Sequence, residues 1–450
     1  MNRRRQVIFI MTDTQRTDML GCYDSPDMQT PSLDRLAAQG IRFDTAYTCQ
    51  PVCGPARTAL FTGLWPHSTG SWANSMPQGD NVKTIGQRLR DHGLHTAYIG
   101  KWHLDGGDYF GLGRCPDGWD PDYWYDMRNY LEELTPEDRI RSRSPEINRD
   151  PGLTEEFTFA HRCANRAIDF LAQHPEDDFF LALSFDEPHH PYVCPKPYSE
   201  MYQGFKFPKS RNIRDTLDGK PDHQRAWAGE RLSEDKDTLE ITPADFLGCN
   251  SFVDAEIGRV IGAIDQYAPG ALVIYTSDHG DMLASHSIDN KGPAMYDEIA
   301  RIPLIVRWPD RSPQGAVCSH PVSHIDLVPT IMDAVGLAVP KSLEGQSMLE
   351  TFLDPATAAN DMIFMEFGRY EVAHDGFGGF QPIRAGFDGR FKLVINLLVT
   401  DELYDLEEDP EEMVNLIDSE AYAGIRDRLH DRILAWMDDT RDPFRGYYWE

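Results

Sequence analysis

The segment at residues 53–57 combines residue types that could perform chemistry on an anion. It reads Cys-Gly-Pro-Ala-Arg and opens an apolar run that continues to Gly63. Pro55 favours a helix that starts here, because a first-turn residue needs no backbone N–H. The free amides at such a helix start attract an anion, and Arg57 adds a permanent, forked cation. Cys53 could then serve as an oxidised nucleophile beside that anion, or as a buried structural cysteine before a helix.

Acidic residues follow two predicted strands that are far apart in the chain. Asp13 comes directly after an apolar run at the N-terminus, and Asp278 comes after the run at 271–276. Because ligands of open α/β sheets bind at the carboxyl ends of the strands, we expect these carboxylates to converge. Oxygen ligands of this kind hold hard divalent cations. A lone aspartate at a strand end is more often a turn or capping residue, but two such ends together with Cys53 favour a metal site.

Further basic residues could complete an anion pocket. They lie in short motifs with tryptophan, histidine, proline or glycine neighbours, and they are Lys101, His103, His189 and Lys291. Each has a simpler interpretation, since a lysine beside tryptophan often packs its stem on the ring and His-His-Pro often forms a turn. Taken together, they predict a cluster of positive charge for an anionic substrate.

The segment around Cys53 resembles the signature of the sulfatase family, in which this cysteine is oxidised to formylglycine after translation. The resemblance extends over nearly the whole chain. Further blocks occur in the family's order and at compatible spacings, at residues 7–16, 98–104, 188–192, 276–281, 291–296, 301–305 and 401–410. The resemblance implies a formylglycine-dependent (type I) sulfatase of the alkaline phosphatase superfamily.

The resemblance also implies which residues form the site. The metal ligands would be Asp13, Thr14, Cys53, Asp278 and His279. The catalytic residues would be Cys53, Arg57, Lys101, His103, His189 and Lys291. Asn74 resembles a substrate-side asparagine of phosphonate and sulfate ester hydrolases.

In the family, the hydrate of formylglycine supplies the hydroxyl that attacks sulfur. By resemblance, Arg57 and Lys101 would hold this hydroxyl, and Lys101, His189 and Lys291 would neutralise the sulfate oxygens. His189 and Lys291 would protonate the departing alkoxide. His103 would then take the proton of the second hydroxyl, which expels sulfate and restores the aldehyde.

Two positions depart from the commonest family pattern. Thr14 stands where the family often has a second carboxylate, so the metal is held more weakly or Gln15 contributes instead. His279 stands where asparagine is commoner, as in phosphonate monoester hydrolases and choline-sulfatase-like members. The expected metal is Ca²⁺, with Mn²⁺ or Mg²⁺ as alternatives.

The expected function is hydrolysis of a small sulfate monoester, either a sulfated carbohydrate or an aryl or alkyl sulfate, with release of inorganic sulfate. A phosphonate monoester or phosphodiester hydrolase on the same fold is the alternative, favoured by Thr14 and His279. A sulfatase-like binding protein without turnover is a third possibility. It is disfavoured because every catalytic group that the resemblance requires is present.

Composition limits the partners. A net charge of −30 over 450 residues argues against nucleic acid as a partner. The apolar run before Asp13 is too short for a signal peptide or a membrane span, and no later run approaches spanning length. The eight cysteines have neither disulfide-like nor zinc-like spacing. We therefore expect a cytoplasmic protein that meets its small sulfated substrate and a formylglycine-generating maturation enzyme there.

The alternation of strands and helices predicts an α/β fold with a mostly parallel sheet covered on both faces. This agrees with the alkaline-phosphatase-like sandwich of the family. Strands are predicted near 6–12, 95–101, 179–185, 271–276 and 303–307, and helices at 30–40, 81–93, 155–173 and 243–267.

The predicted domains are a catalytic unit at 1–361 and a C-terminal unit at 362–450. The C-terminal unit should contain a small antiparallel sheet, a closing helix at about 419–438 and an aromatic tail at 444–449. We expect the inserts at 104–150 and 196–240 to rim the pocket, or else to pack as an insert core or a subunit contact. The tail is expected to dock on a neighbouring subunit, in a homo-oligomer, or on the pocket edge.

Overall fold

The computed structural model describes residues 4–79, 81–106, 109–207, 210–235, 244–371 and 379–446. It confirms the α/β architecture, with a mostly parallel central sheet, a C-terminal antiparallel sheet and a closing helix. The strands are β1 (Gln6–Thr12), β2 (Ile41–Phe43), β3 (Ala46–Tyr47), β4 (His95–Gly100), β5 (Phe179–Ser184), β6 (Leu272–Ser277), β7 (Leu304–Arg307), β8 (Ala316–Cys318), β9 (Val322–Ser323), β10 (Ile363–Arg369), β11 (Phe380–Phe387), β12 (Phe391–Asn396) and β13 (Glu402–Asp405).

The helices lie between these strands and after the last one. They are α1 (Pro31–Ala38), α2 (Cys53–Thr62), α3 (Pro66–Thr69), α4 (Ile85–Arg90), α5 (Met127–Glu133), α6 (Pro136–Arg141), α7 (Phe159–Gln173), α8 (Asp222–Ala228), α9 (Ala244–Tyr267), α10 (Asp297–Ala300), α11 (Leu327–Ala334), α12 (Leu349–Leu353) and α13 (Ala423–Asp439). Among the helices of the described residues, none is both long and apolar enough to cross a bilayer.

The central sheet has the strand order β4-β5-β1-β6-β7-β2-β8. The first four strands in this order run parallel, whereas β7 is antiparallel to both of its neighbours. Strand β1 lies in the middle, and its side chains alternate between two cores. Ile8 and Ile10 face a core that includes α7 and α9, while Phe9 faces one that includes α2 and α11. Burial on both faces explains why β1 is an unbroken apolar run.

The register of the parallel strands brings their carboxyl ends to one level. Ser184 at the end of β5 pairs with Met11 and with Gly100, and Ser277 at the end of β6 pairs with Thr12. Gly100 turns the chain out of the sheet with a φ of 119°, and a Cβ at this position would lie 1.9 Å from the Ser184 carbonyl oxygen. Only glycine fits this turn without a shift of the backbone.

Several sequence predictions of elements are confirmed, and three predicted helices are too long. The strands that carry the site begin and end within one or two residues of the predicted bounds. The helix predicted at 81–93 is wrong at both ends, because Thr84 forms a capping box with Gln87 and the helix starts after it, at Ile85.

The α-helices predicted at 155–173 and at about 419–438 begin four residues later, at Phe159 and Ala423. Strands β2, β3, β8, β9 and β11 were not predicted.

The C-terminal region forms a sheet of order β10-β11-β12-β13, and all its neighbouring strands are antiparallel. Helix α13 covers it with the predicted apolar face, which includes Leu429, Ile433 and Met437. Phe444 packs near Phe380 of the same chain, at 6.0 Å between ring centres. Residues 447–449 of the predicted aromatic tail lie outside the described residues, as do parts of both inserts.

The packing of α13 predicts a large loss of stability when its buried face is truncated. Ile433 is fully buried, so Ile433→Ala should lower the free energy of unfolding by about 2–5 kcal/mol. The same substitution at Ile140, which is 75% exposed, should change it by less than about 0.5 kcal/mol. Urea unfolding of the two variants beside the wild type measures both values, and equal effects would contradict this packing.

Candidate active site

Cys53 is the first residue of α2, and its side chain faces buried charged groups. The residues of α2 are all buried, and Cys53 itself is 2% exposed. Its Sγ lies 3.1 Å from His279 Nε2 and 3.8 Å from Asp13 Oδ1. Burial and Asp13 act to raise the pKa of the thiol, but the cations around it outweigh them and lower it to about 6. An inert structural cysteine has no such surroundings.

Arg57, one turn later on α2, connects the ends of the strands. Its guanidinium donates to Asp13 Oδ2 at 3.0 Å and to Asp278 Oδ2 at 2.9 Å. It also donates at 2.8 Å to the carbonyl of Lys101 and to Ser184 Oγ. Burial acts to lower the pKa of Arg57, but the two carboxylates outweigh it and the pKa is raised. The residue is therefore a permanent cation at the centre of the site.

Lys101 follows β4 and is fully buried. Its Nζ forms ion pairs with Asp13 Oδ2 at 2.7 Å and with Asp186 Oδ1 at 3.0 Å. It also lies 4.1 Å from the ring centre of Tyr109. Despite burial, the carboxylates raise the pKa of Lys101, so its ammonium keeps its charge. Lys101 can thus neutralise an anion held beside Cys53.

His189 and Lys291 form a hydrogen-bonded pair, with 3.1 Å between His189 Nε2 and Lys291 Nζ. His189 Nδ1 lies 2.9 Å from the His190 carbonyl and 3.0 Å from the Tyr109 hydroxyl, which donates its own proton to Asp186. Both neighbours of Nδ1 can accept, so this nitrogen carries the hydrogen and Nε2 accepts from Lys291. Burial and Lys291 lower the pKa of His189, which keeps the ring neutral.

His103 is neutral for a similar reason. Burial, followed by Lys101 and Arg57, lowers its pKa to about 3. Its Nδ1 is buried and has no hydrogen-bond partner within the part of the chain that the structure describes. Its backbone has a φ of 55°, a conformation that costs energy outside glycine and that clusters at functional sites. A neutral imidazole in this position can accept a proton.

Asn74 contacts the start of α2. Its side-chain Oδ1 accepts the Gly54 N–H at 2.9 Å, and a Cβ at residue 54 would lie 3.2 Å from this oxygen. Asn74 therefore binds one of the free amides of the helix that presents Cys53. A direct substrate contact by Asn74 stays a prediction.

The donor atoms of Asp13, Cys53, Asp278 and His279 lie within 4.8 Å of one another and are all buried. Burial and Asp13 raise the pKa of Asp278 to about 7, as expected for a carboxylate that shares a buried site with another. His279 Nδ1 lies 2.8 Å from the Gly280 carbonyl, which turns the lone pair of Nε2 toward the other donors. Two carboxylates and an oriented imidazole fit a divalent cation.

Thr14 and Gln15 differ in where their side chains lie. Thr14 Oγ1 donates to Asp13 Oδ1 at 2.6 Å, and the oxygen keeps lone pairs beside the metal donors. The Gln15 amide instead donates to Asn250 Oδ1 at 2.6 Å, and its oxygen accepts from Tyr275. Of the two residues, Thr14 is thus the one in contact with the donor set.

Two residues of the site were not singled out from the sequence as site residues. Asp186 binds Lys101, and Tyr109 stacks on His189 with 5.0 Å between ring centres. Asp186 comes two residues after β5, much as Asp13 and Asp278 come one residue after β1 and β6, and this signal could have identified it. Tyr109 lies in the insert at 104–150, which the sequence predicts to rim the pocket.

Comparison with known proteins identifies the relatives of this chain. A sequence model described as "Sulfatase" matches residues 5–337, and one described as "N-sulphoglucosamine sulphohydrolase, C-terminal" matches residues 288–439. The chain is 47% identical over 456 residues to the "Uncharacterized sulfatase YidJ" of Escherichia coli (strain K12), over 99% of this chain and 90% of that protein.

Two solved structures share the fold. One is a protein in complex with its substrate D-glucosamine-2-N,6-O-disulfate, with a TM-score of 0.79 and 20% identity over 99% of this chain and 100% of that one. The other is the phosphonate monoester hydrolase of Agrobacterium radiobacter, with a TM-score of 0.79 and 23% identity over 97% and 96% of the two chains. At these identities the likeness supports the fold alone.

The donor set predicts that a divalent cation stabilises the folded chain. Ca²⁺ at about 100 times its Kd should add about 2.7 kcal/mol to the free energy of unfolding, and chelation with EDTA should remove it. Calorimetry should show this response lost in Asp278→Asn, a metal-donor variant. Asp254→Asn should keep it, because Asp254 is equally buried but caps α1 instead. If Ca²⁺ stabilised Asp278→Asn as much as Asp254→Asn, Asp278 would be excluded as a ligand.

Proposed function

The chain belongs to the sulfatase family and is a sulfuric ester hydrolase, and we propose that it acts on a small sulfate monoester through a formylglycine made from Cys53. The observation that carries the proposal is the position of Cys53. It begins a buried helix between a metal donor set and three cations, Arg57, Lys101 and Lys291. This is the charge pattern that an anionic ester and a metal-activated nucleophile require.

Asp13, Asp278 and His279 would hold a divalent cation, which would supply the Lewis acidity that activates a hydroxyl of the formylglycine hydrate at residue 53. The chain's own residues place the ester around it. Lys101 and Lys291 offer ammonium groups to the non-bridging sulfate oxygens. Arg57 holds Asp13 and Asp278 in position, because its guanidinium is hydrogen-bonded to both carboxylates.

The proton for the departing alkoxide is best supplied by Lys291. Burial acts to lower its pKa, but nearby groups outweigh it: Cys53 in the unmodified chain, and also Asp13 and Asp281, which remain after modification, so the amine is protonated at neutral pH. His189 is neutral and hydrogen-bonded to Lys291, and it can orient this proton or pass it on. His103, neutral and with a free Nδ1 among the described residues, is the proposed base for sulfate release.

A phosphonate monoester or phosphodiester hydrolase is the second candidate. His279 lies in the metal donor set, and Thr14 stands where the family often has a carboxylate, so the site carries one negative charge fewer than it would with an acid at residue 14. The likeness in fold to a phosphonate monoester hydrolase is compatible with this candidate. The substrate preference has to be measured.

We further propose the cytoplasm as the location and a formylglycine-generating enzyme as the maturation partner. The spacing of the cysteines supports a reducing compartment, and the structure has them all as free thiols.

We also propose that the C-terminal tail contributes to a homo-oligomer. Size-exclusion chromatography can compare a chain that ends at residue 442 with the full chain. The same number of subunits in both assemblies would contradict this proposal.

From the proposed nucleophile we expect a sharp loss of turnover in the variant Cys53→Ser. A serine has no second hydroxyl to expel sulfate, so kcat should fall by at least about a thousandfold or the enzyme should stall as a covalent ester. Mass spectrometry of the peptide around residue 53 should detect the aldehyde in the wild type. Cys22→Ser, away from the site, should keep both modification and activity. Full turnover by Cys53→Ser would refute the mechanism.

The reaction class is tested by comparing kcat/KM for 4-nitrophenyl sulfate and for an aryl phosphonate monoester. The preparation should first be shown to carry formylglycine at residue 53. We expect a preference for the sulfate, because Lys101 and His103 match the lysine–histidine pair that is typical of sulfatases. A preference for the phosphonate would move the chain to the second candidate.

A further inference from the structure

A cavity of about 340 Å³ lies beside the anion pocket and is lined mainly by apolar side chains. A volume of this size is typical of sites for small molecules. Asp186 and His189 also line it. Since Asp186 pairs with Lys101 and His189 pairs with Lys291, the cavity borders the groups proposed to hold the ester. Its aromatic and aliphatic lining includes Tyr109, Phe110, Met127, Tyr130, Leu131 and Phe159.

Glu187 lines this cavity, and none of the proposed chemistry uses it. The residue is 5% exposed. Its Oε1 accepts the N–H of Ala160, in the first turn of α7, at 3.0 Å. Its Oε2 is buried and has no hydrogen-bond partner between residues 4 and 446 wherever the structure describes the chain. A buried polar atom without a partner is unfavourable, so a ligand that hydrogen-bonds to this oxygen would gain binding free energy.

The surroundings of Glu187 indicate the chemistry of such a ligand. Burial, and after it the charge of Asp186, raises the pKa of Glu187 to about 8, so the group is largely a neutral carboxylic acid at pH 7. A protonated carboxyl both donates and accepts, which suits a hydroxyl group. Arg143 also lines the cavity, with Cζ 4.1 Å from the ring centre of Phe110, and its charge disfavours a cationic ligand.

We propose that this cavity receives the leaving alcohol of the sulfate ester and that Glu187 hydrogen-bonds to a second hydroxyl of that alcohol. The inference rests on the proposed function and narrows its substrate class to polyhydroxylated leaving groups with an apolar face. A pyranose ring has both properties, because its C–H face packs on aromatic rings while its hydroxyls point outward. An unsubstituted aryl group would fill the cavity but leave Glu187 Oε2 without a partner.

The test is the ratio of kcat/KM for glucose 6-sulfate to kcat/KM for ethyl sulfate, whose leaving group is too small to reach across the cavity. Glu187→Ala should lower this ratio by at least about tenfold, mainly through the KM for glucose 6-sulfate. Glu187→Gln keeps a donor and an acceptor of the same shape and should restore most of the ratio. Glu155→Ala, an exposed acid outside the cavity, is the matched control.

A blocking variant tests the cavity without changing Glu187. Ser142 is half-buried on the lining, so Ser142→Trp should fill the space and lower the same ratio. This variant decides the matter if Glu187→Ala fails to fold. An unchanged ratio in the folded variants, with sulfate still released, would overturn the subsite and leave the proposed function standing. Release of sulfate from neither ester, nor from 4-nitrophenyl sulfate, by modified wild-type protein would overturn both.

Discussion

The buried guanidinium of Arg57 joins helix α2 to the carboxyl ends of four neighbouring strands of the central sheet. It binds the carboxylates that follow β1 and β6, and it also binds the backbone after β4 and the hydroxyl at the end of β5. A lysine could not replace it, because one ammonium cannot donate in these fixed directions at once. Removing one partner of a buried ion pair typically costs about 3–5 kcal/mol, since the other charge is left unpaired. The hydrogen bonds that position the metal donors therefore also hold α2 against the carboxyl ends of the strands.

Charge balance explains how a strongly acidic chain can bind an anion. The overall charge of −30 repels sulfate esters at a distance, but such repulsion between exposed charges is screened by salt. Inside the site the charged groups are buried, and the two cations Arg57 and Lys101 form ion pairs with Asp13, Asp186 and Asp278. The third cation, Lys291, is hydrogen-bonded to His189 instead. A bound divalent cation would tip this balance to positive, which favours a negatively charged ester. The positive charge of the pocket therefore attracts the ester only within a few ångströms, while the net negative charge of the protein repels it at longer range.

The parts of the fold that carry the site could be predicted because their signals are local. Strands β1, β5 and β6 are buried on both faces and so appear as continuous apolar runs. Strand β11 was missed because it contains Pro382 and Gly386, which usually interrupt strands, and β2 because three residues are too few to show alternation. The choice between Thr14 and Gln15 depends on Asn250 and Tyr275, which are distant in sequence, so no local pattern could have decided it. The same holds for the lone oxygen of Glu187, which only the packed structure reveals.

The complete burial of α2 has a consequence for the order of events in the life of the chain. Residue 53 is covered on every side once the sheet and its helices have assembled, and no protein-sized catalyst can reach a side chain that is 2% exposed. Any enzymatic oxidation of this thiol must therefore happen while the segment is still unfolded, during or shortly after synthesis. Under the proposed mechanism, folding and modification would compete for the same nascent chain, and a molecule that folded first would stay trapped as the unmodified thiol. The active fraction of a preparation would then be decided by relative rates during biosynthesis rather than by any equilibrium of the finished protein.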